Sequence, residues 1–233
     1  MITLLLATRN SHKAQEIQAI LSERFRYLTL NDFPEAPVTV EDAETFAGNA
    51  AKKAVQLADW LAGLPAFNSR LSTSGGVFVL ADDSGLEVDA LQGAPGVYSA
   101  RFAALDSSNA RNSSDEANNI KLLQLLQDVP WEKRTARFRC VMALTRVLES
   151  GPEGNSSLHC ANESGRPTEL FEGVCEGRIG DAPRGKNGFG YDPLFIPTGF
   201  KETFAELGAE IKNQLSHRAQ ALVRLRQRLL HLA

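Results

Sequence analysis

The chain opens on an apolar run, Ile2 to Ala7, that ends abruptly in polar residues. The run is too short for a typical helix and predicts a buried strand. Ala14, Ile17, Ile20 and Leu21 then recur at helical spacing and predict an amphipathic helix. A second helix is predicted from about Thr45 to Leu61, with Phe46, Ala50, Ala54, Leu57, Ala58 and Leu61 on one stripe. Asn49 and Lys53 lie four apart and share a different face of it. Pro65 to Gly76 is rich in Pro, Asn, Ser, Thr and Gly, and predicts an exposed loop.

Val77 to Ala81 predicts a strand that runs into Asp82-Asp83-Ser84-Gly85. Gly93 to Gly96 predicts a turn, and Asp115 to Gln127 a helix capped by Ser113 or Ser114. Between Ala136 and Leu144 the apolar residues alternate, which predicts a strand with one buried face. Gly151 to Asn155 predicts a turn; Leu158 to Ala161 and Leu170 to Ile179 predict strands of a hairpin or meander. Gly180 to Gly190 is glycine-rich and aperiodic, hence a loop of the kind that lies against ligands. Ser216 to Leu232 predicts a closing helix with Ala219, Leu222, Val223, Leu225 and Leu229 inward. Its last turns carry Arg226, Arg228 and His231, which suits the negative end of the helix dipole. Helices and strands alternate, strands then cluster, and a helix ends the chain. That order predicts an α/β fold with a mixed sheet.

Composition narrows function by exclusion. The 233 residues suffice for one large domain or two small lobes. A net charge of -3 without a basic run argues against a nucleic-acid groove. No apolar stretch has membrane-spanning length, and the first residues lack a charged leader, so a cytoplasmic protein is expected. Cys140, Cys160 and Cys175 are too far apart for a CxxC motif and read as reduced, structural thiols.

Four polar segments are candidates for chemistry. Thr8-Arg9-Asn10-Ser11-His12-Lys13 lies where a strand gives way to a helix. Free amides at a helix start bind anions, and Lys13 adds a charge; the plain alternative is an N-cap and a solvated lysine. Asp82-Asp83-Ser84-Gly85 places two carboxylates at the end of a strand, where open α/β sheets carry their sites. If the strand continues, the two side chains face opposite ways. One then holds magnesium or activates a water, and the other orders the turn. The plain alternative there is an Asp-rich turn.

Asn187-Gly188-Phe189-Gly190-Tyr191-Asp192-Pro193 offers a ring for stacking on a flexible backbone, or else an aromatic plug. In Lys212-Asn213-Gln214-Leu215-Ser216-His217-Arg218, Ser216 predicts an N-cap. His217 and Arg218 then occupy the first turn, against the helix dipole, which points to a compensating ligand.

Taken in order, these segments resemble the inosine triphosphate pyrophosphatase family. The matching runs are Ala7-Thr8-Arg9-Asn10 with Lys13, Thr45-Phe46 with Asn49-Ala50 and Lys53-Ala54, and Ala81-Asp82-Asp83-Ser84-Gly85-Leu86 with Val88-Asp89. They continue with Gly93 to Arg101, Ala136-Arg137-Phe138, Gly188 to Pro193 and Ser216-His217-Arg218-Ala219. The resemblance implies a single domain over residues 1–233, built as an elongated mixed sheet with two lobes and a central cleft. It implies a homodimer and hydrolysis of ITP, dITP or XTP with Mg2+ to the monophosphate and pyrophosphate. Carried across, Thr8, Asn10, Lys13 and Lys53 are triphosphate ligands, with Arg9, Ser11 and His12 in the same segment. Glu41 is a metal ligand, Asp83 is metal ligand and general base, and Ser84 is a substrate contact. Phe189, Gly190, Tyr191, Asp192, Lys212, His217 and Arg218 form the base pocket.

Some positions depart from the family pattern. Arg9 stands where many relatives have Gly, and Gly48 where they have Glu. Glu44 competes with Glu41 as the metal ligand. Pro65–Gly76 and Ser150–Thr168 are read as surface insertions. Two other readings stand beside this one: a Maf-like pyrophosphatase acting on other modified nucleotides, and a non-catalytic nucleotide-binding protein.

Overall fold

The computed structural model describes residues 1–21, 23–64, 75–106, 112–148 and 166–232. The predicted turn at 151–155, the predicted strand at 158–161, most of the 65–76 loop and Cys160 lie outside them.

The described strands form one six-stranded sheet in the order β2-β1-β3-β4-β5-β6. They are β1 (Thr3–Leu6), β2 (Arg26–Thr29), β3 (Val77–Val88), β4 (Thr135–Arg146), β5 (Thr168–Ile179) and β6 (Phe195–Pro197). β1 runs parallel to β2 and β3, while β5 and β6 are antiparallel, so the sheet is mixed as expected. The described helices are α1 (Ser11–Leu21), α2 (Phe46–Ala62), α3 (Asp115–Leu125), α4 (Phe204–Leu215) and α5 (His217–Leu232).

The chain divides into two compact units. The first comprises Met1–Asp83, Val141–Phe171 and Ala221–Ala233. At its centre Leu4, Leu5 and Leu6 are buried on both faces of β1, which is why that strand reads as a continuous apolar run. β1 pairs in register with both neighbours, Thr3 lying opposite Arg26 on one side and Val77 on the other. α2 starts at Thr45, whose side chain accepts the Gly48 N–H at 3.0 Å, and its predicted apolar stripe is buried throughout. The end of α5 contributes Leu222, Leu225 and Leu229 to the core. Val223, expected inside, is 53% exposed; Ala221 is buried instead.

The second unit comprises Ser84–Cys140 and Glu172–Gln220. Leu86, Val88, Leu122, Leu126, Ile179 and Leu194 are part of its core, together with five aromatic residues, Phe102, Phe138, Tyr191, Phe195 and Phe204. Phe138, Phe195 and Phe204 lie 4.6 to 6.2 Å apart, centre to centre. α3 is capped by Ser114, which accepts the Ala117 N–H. α4 starts with a full capping box between Thr203 and Glu206 and is interrupted at Gly208, where φ is 78°.

β3 corrects an expectation. The sequence ended this strand at Ala81, yet it continues to Val88. The two aspartates are therefore mid-strand residues with side chains on opposite faces.

Candidate active site

In the first unit, the turn after β1 leads into α1. Asn10 caps this helix: its Oδ1 accepts the N–H groups of His12 at 2.9 Å and Lys13 at 3.2 Å. Thr8 Oγ1 in turn accepts the Asn10 N–H at 3.0 Å. The cap thus occupies two of the amides that were expected to face an anion. Arg9, Asn10, Ser11 and His12 are exposed, and Thr8 and Lys13 half-buried.

Lys13 is not a solvated lysine. Its Nζ lies 3.0 Å from Asp82 Oδ2, and the Asp82 side chain is 4% exposed. Lys53, carried on α2, donates to the Asp82 carbonyl at 2.8 Å and pairs with Glu41 Oε1 at 3.0 Å. Asp83 Oδ1 lies 4.0 Å from the same ammonium. Glu41, not the exposed Glu44, joins this group.

Electrostatics separate the members of the cluster. Burial pulls the Lys53 ammonium down, but Asp82, Asp83 and Glu41 together hold it above its ordinary value. Asp83 moves the other way for a carboxyl, up to about 6. Burial drives the shift, Lys53 and the Asn49 amide oppose it, and Glu41 and Asp82 add to it.

Asn49 was not among the predicted site residues, although its place four before Lys53 signalled it. It is buried, and its Oδ1 accepts the Ala43 N–H at 2.9 Å, which fixes the segment bearing Glu41. Asn49 Nδ2 and Asp83 Oδ2 are both buried without a geometric hydrogen-bond partner among the described residues. A buried polar atom left this way costs about 1–3 kcal/mol.

In the second unit, the Gly188–Pro193 segment forms a tight loop. Gly188 has φ 79°, and a Cβ there would lie 2.1 Å from Asp192 Oδ2. Asp192 Oδ2 accepts the Phe189 N–H at 2.9 Å and pairs with Lys212 Nζ at 2.6 Å. Both partners of that pair are buried. Lys212 Nζ lies 4.4 Å from the centre of the Phe189 ring, and the Arg218 guanidinium 5.7 Å.

Arg218 is only 1% exposed, and its Nη2 donates to Ser84 Oγ at 3.1 Å. His217 stacks on Phe138, with ring centres 4.8 Å apart and planes 13° from parallel. Ser216 caps α5 as expected, accepting the Ala219 N–H. Tyr191 is turned inward: its hydroxyl donates to the Ser99 carbonyl at 2.9 Å, and burial pushes it well above the ordinary tyrosine range. Ser99 holds its own turn, donating to the Gly96 carbonyl and accepting the Leu86 N–H. Arg137 pairs with Asp89 and Glu176 on an exposed part of the sheet.

A family model described as the Ham1 family matches residues 4–228.

The chain belongs to the Ham1 family.

Curated relatives agree across nearly the whole length. The dITP/XTP pyrophosphatase of Geobacter sulfurreducens is 46% identical over 230 residues, covering 98% of this chain and 97% of the relative. That of Shouchella clausii is 44% identical over 227 residues, covering 97% and 96%. Among solved structures, the HAM1 protein of Coxiella burnetii superposes with a TM-score of 0.74 at 35% identity, covering 99% of this Ham1-family chain and 100% of its own. The nucleoside-triphosphatase, or dITP/XTP pyrophosphatase, of Mycobacterium abscessus gives 0.66 at 35% identity, covering 96% and 98%.

Proposed function

We propose that this chain hydrolyses purine nucleoside triphosphates with a 6-oxo base, such as ITP, dITP and XTP, to the monophosphate and pyrophosphate. The observation that carries the reading is Asp83 Oδ2, a buried carboxylate oxygen that has no hydrogen-bond partner among the described residues and sits inside a carboxylate–ammonium cluster. Family membership and the names of the relatives support it.

The donor set suits magnesium. Among the described residues no three His, Cys, Asp or Glu side chains gather as a closed metal cage. Magnesium does not need one, because it keeps waters and binds through one or two carboxylates plus substrate phosphates. Asp83 and Glu41 would hold it, and when bound it would offset phosphate charge.

Lys13 and Lys53 receive the triphosphate, with Thr8 and Asn10 beside them. Asp83 accepts the proton of a water whose oxygen attacks the α-phosphorus. The bond from that phosphorus to the bridging oxygen breaks, and pyrophosphate leaves. In the second unit, Phe189 offers a ring to the base, and Lys212, His217 and Arg218 supply donors that suit a 6-oxo group. Adenine's 6-amino group would face like donors there and is disfavoured. A homodimer in the cytoplasm completes the reading. Among the described residues, no helix is long and apolar enough to cross a membrane.

The test is product analysis with ITP, dITP, XTP and the four standard triphosphates in the presence of Mg2+. IMP and pyrophosphate are expected from ITP. IDP and orthophosphate would exclude attack at the α-phosphorus, and equal rates on all seven would exclude base selection.

A further inference from the structure

Phe189 lies between Gly188 and Gly190, whose φ angles are 79° and 62°. Glycines in this region add little stiffness of their own, so the pose of the ring is set from outside the loop. Asp192 supplies one support through the Phe189 N–H. The other comes from α3.

Asp115 Oδ2 accepts the Gly190 N–H at 2.6 Å. Asn119 Nδ2 donates to the Gly190 carbonyl at 3.0 Å. The two side chains are four residues apart and lie on one face of the helix. The N–H and the carbonyl belong to successive peptide planes, so together they fix both planes that meet at Gly190. The Asp115 bond is charge-assisted, and the carboxylate sits in the first turn of α3, where the helix dipole favours it.

The helix is itself anchored. Asn118 Oδ1 accepts the Ala103 N–H at 2.8 Å, and its Nδ2 donates to the Ala100 carbonyl at 3.4 Å. Tyr191, next to Gly190, is tied to Ser99 in the same segment. Asn119 is buried, and its Oδ1 has no hydrogen-bond partner among the described residues. Stability alone does not favour a buried acceptor left so, which points to a role in placing the loop.

We propose that Asp115 and Asn119 are positioning residues for base selection: a clamp from α3 that sets Phe189 against Lys212 and Arg218. The proposal rests on the assignment of the Phe189 loop to the base.

The test compares binding of inosine monophosphate and of inorganic pyrophosphate to the full chain by calorimetry. Asp115→Ala should weaken the monophosphate by about tenfold, the equivalent of one charge-assisted hydrogen bond, and leave pyrophosphate unchanged. Asp115→Asn keeps an acceptor oxygen but loses the charge and should fall between Asp115→Ala and the parent. Glu116→Ala removes a neighbouring first-turn charge without touching Gly190 and should also behave as the parent. The Gly190 amide proton resonance should shift upfield in Asp115→Ala alone. Should Asp115→Ala not fold, Asn119→Leu carries the same comparison through the carbonyl side.

Equal weakening by Asp115→Ala and Glu116→Ala, or parallel losses for both probes, would overturn the clamp. Phe189→Ala separates the two levels. If it weakens the monophosphate while Asp115→Ala does not, the clamp alone fails. If Phe189→Ala has no effect, the assignment of the loop to the base fails, and the clamp with it.

Discussion

Lys53 approaches Asp83 without bonding it: its Nζ stands 4.0 Å from Asp83 Oδ1, while Glu41 and the Asp82 carbonyl take up its donors at 3.0 and 2.8 Å. The lysine steadies the charge of Asp83 and leaves its oxygens to other partners. That division of labour is what a group serving as proton acceptor requires.

Asp83→Asn keeps the shape of the side chain and removes the acceptor. Turnover of ITP should fall by about 10²–10⁴-fold, while nucleotide binding, read by calorimetry, survives in part. A rate close to the parent's would pass the role to Asp82 or Glu41.

The same residue makes a prediction about stability. Its folded value, about 6, lies above the ordinary 3.8, so the native chain holds the Asp83 proton more tightly than the unfolded chain. Its contribution is therefore greatest at low pH, falls as pH rises through that window, and is constant above it. The shift corresponds to roughly 3 kcal/mol. Without metal, Asp83→Asn should gain stability relative to the parent by up to that amount between about pH 4 and 7. Urea unfolding in a chelating buffer measures this, and a gap that does not vary with pH would count against the environment described for Asp83.

Arg218 bears on selectivity. A buried donor that loses its acceptor costs about 1–3 kcal/mol, so adenine should be disfavoured by roughly 10- to 100-fold. Arg218→Ala should lower kcat/KM for ITP more than for ATP. Arg218→Lys should not restore the ratio, because the planar fork is lost. If both substrates slow equally, Arg218 shapes the unit and does not read the base.

Gly188→Ala tests the loop from within. The new Cβ would meet Asp192 Oδ2 at 2.1 Å, at a φ that alanine rarely adopts. The carboxylate must move, and its 2.6 Å pair with Lys212 must loosen. A lower Tm with weaker binding of inosine monophosphate is expected; an unchanged Tm would show that the loop yields freely.

Much of the frame was legible because β1, α1, α2, β4 and α5 are long or strongly patterned. Among the described strands and α-helices, three escaped. β2 and β6 have four and three residues, and β2 is partly exposed, so neither displays a period. α4 is broken by Gly208, although the Thr203–Glu206 box that starts it was readable. β3 was cut short because Asp82-Asp83-Ser84-Gly85 has the composition of a turn. Lys13 reaches the Asp82 carboxylate from 69 residues away and Lys53 the Asp82 carbonyl from 29, which no local window can see. Tyr191 was placed with the base because it sits in the right motif, yet its hydroxyl is committed to Ser99. Asp115 and Asn119 gave no signal, since what they hold is backbone.

The charge inside the first-unit cluster bears on the order of arrival. Glu41, Asp82 and Asp83 set three carboxylates against the two ammonium groups of Lys13 and Lys53, so the ionised cluster is one charge negative. A bare polyphosphate meets net repulsion there and must also take Lys13 from Asp82. A polyphosphate that arrives with a divalent ion carries less negative charge and meets weaker repulsion. Free nucleotide should therefore be a poorer competitor than its metal complex.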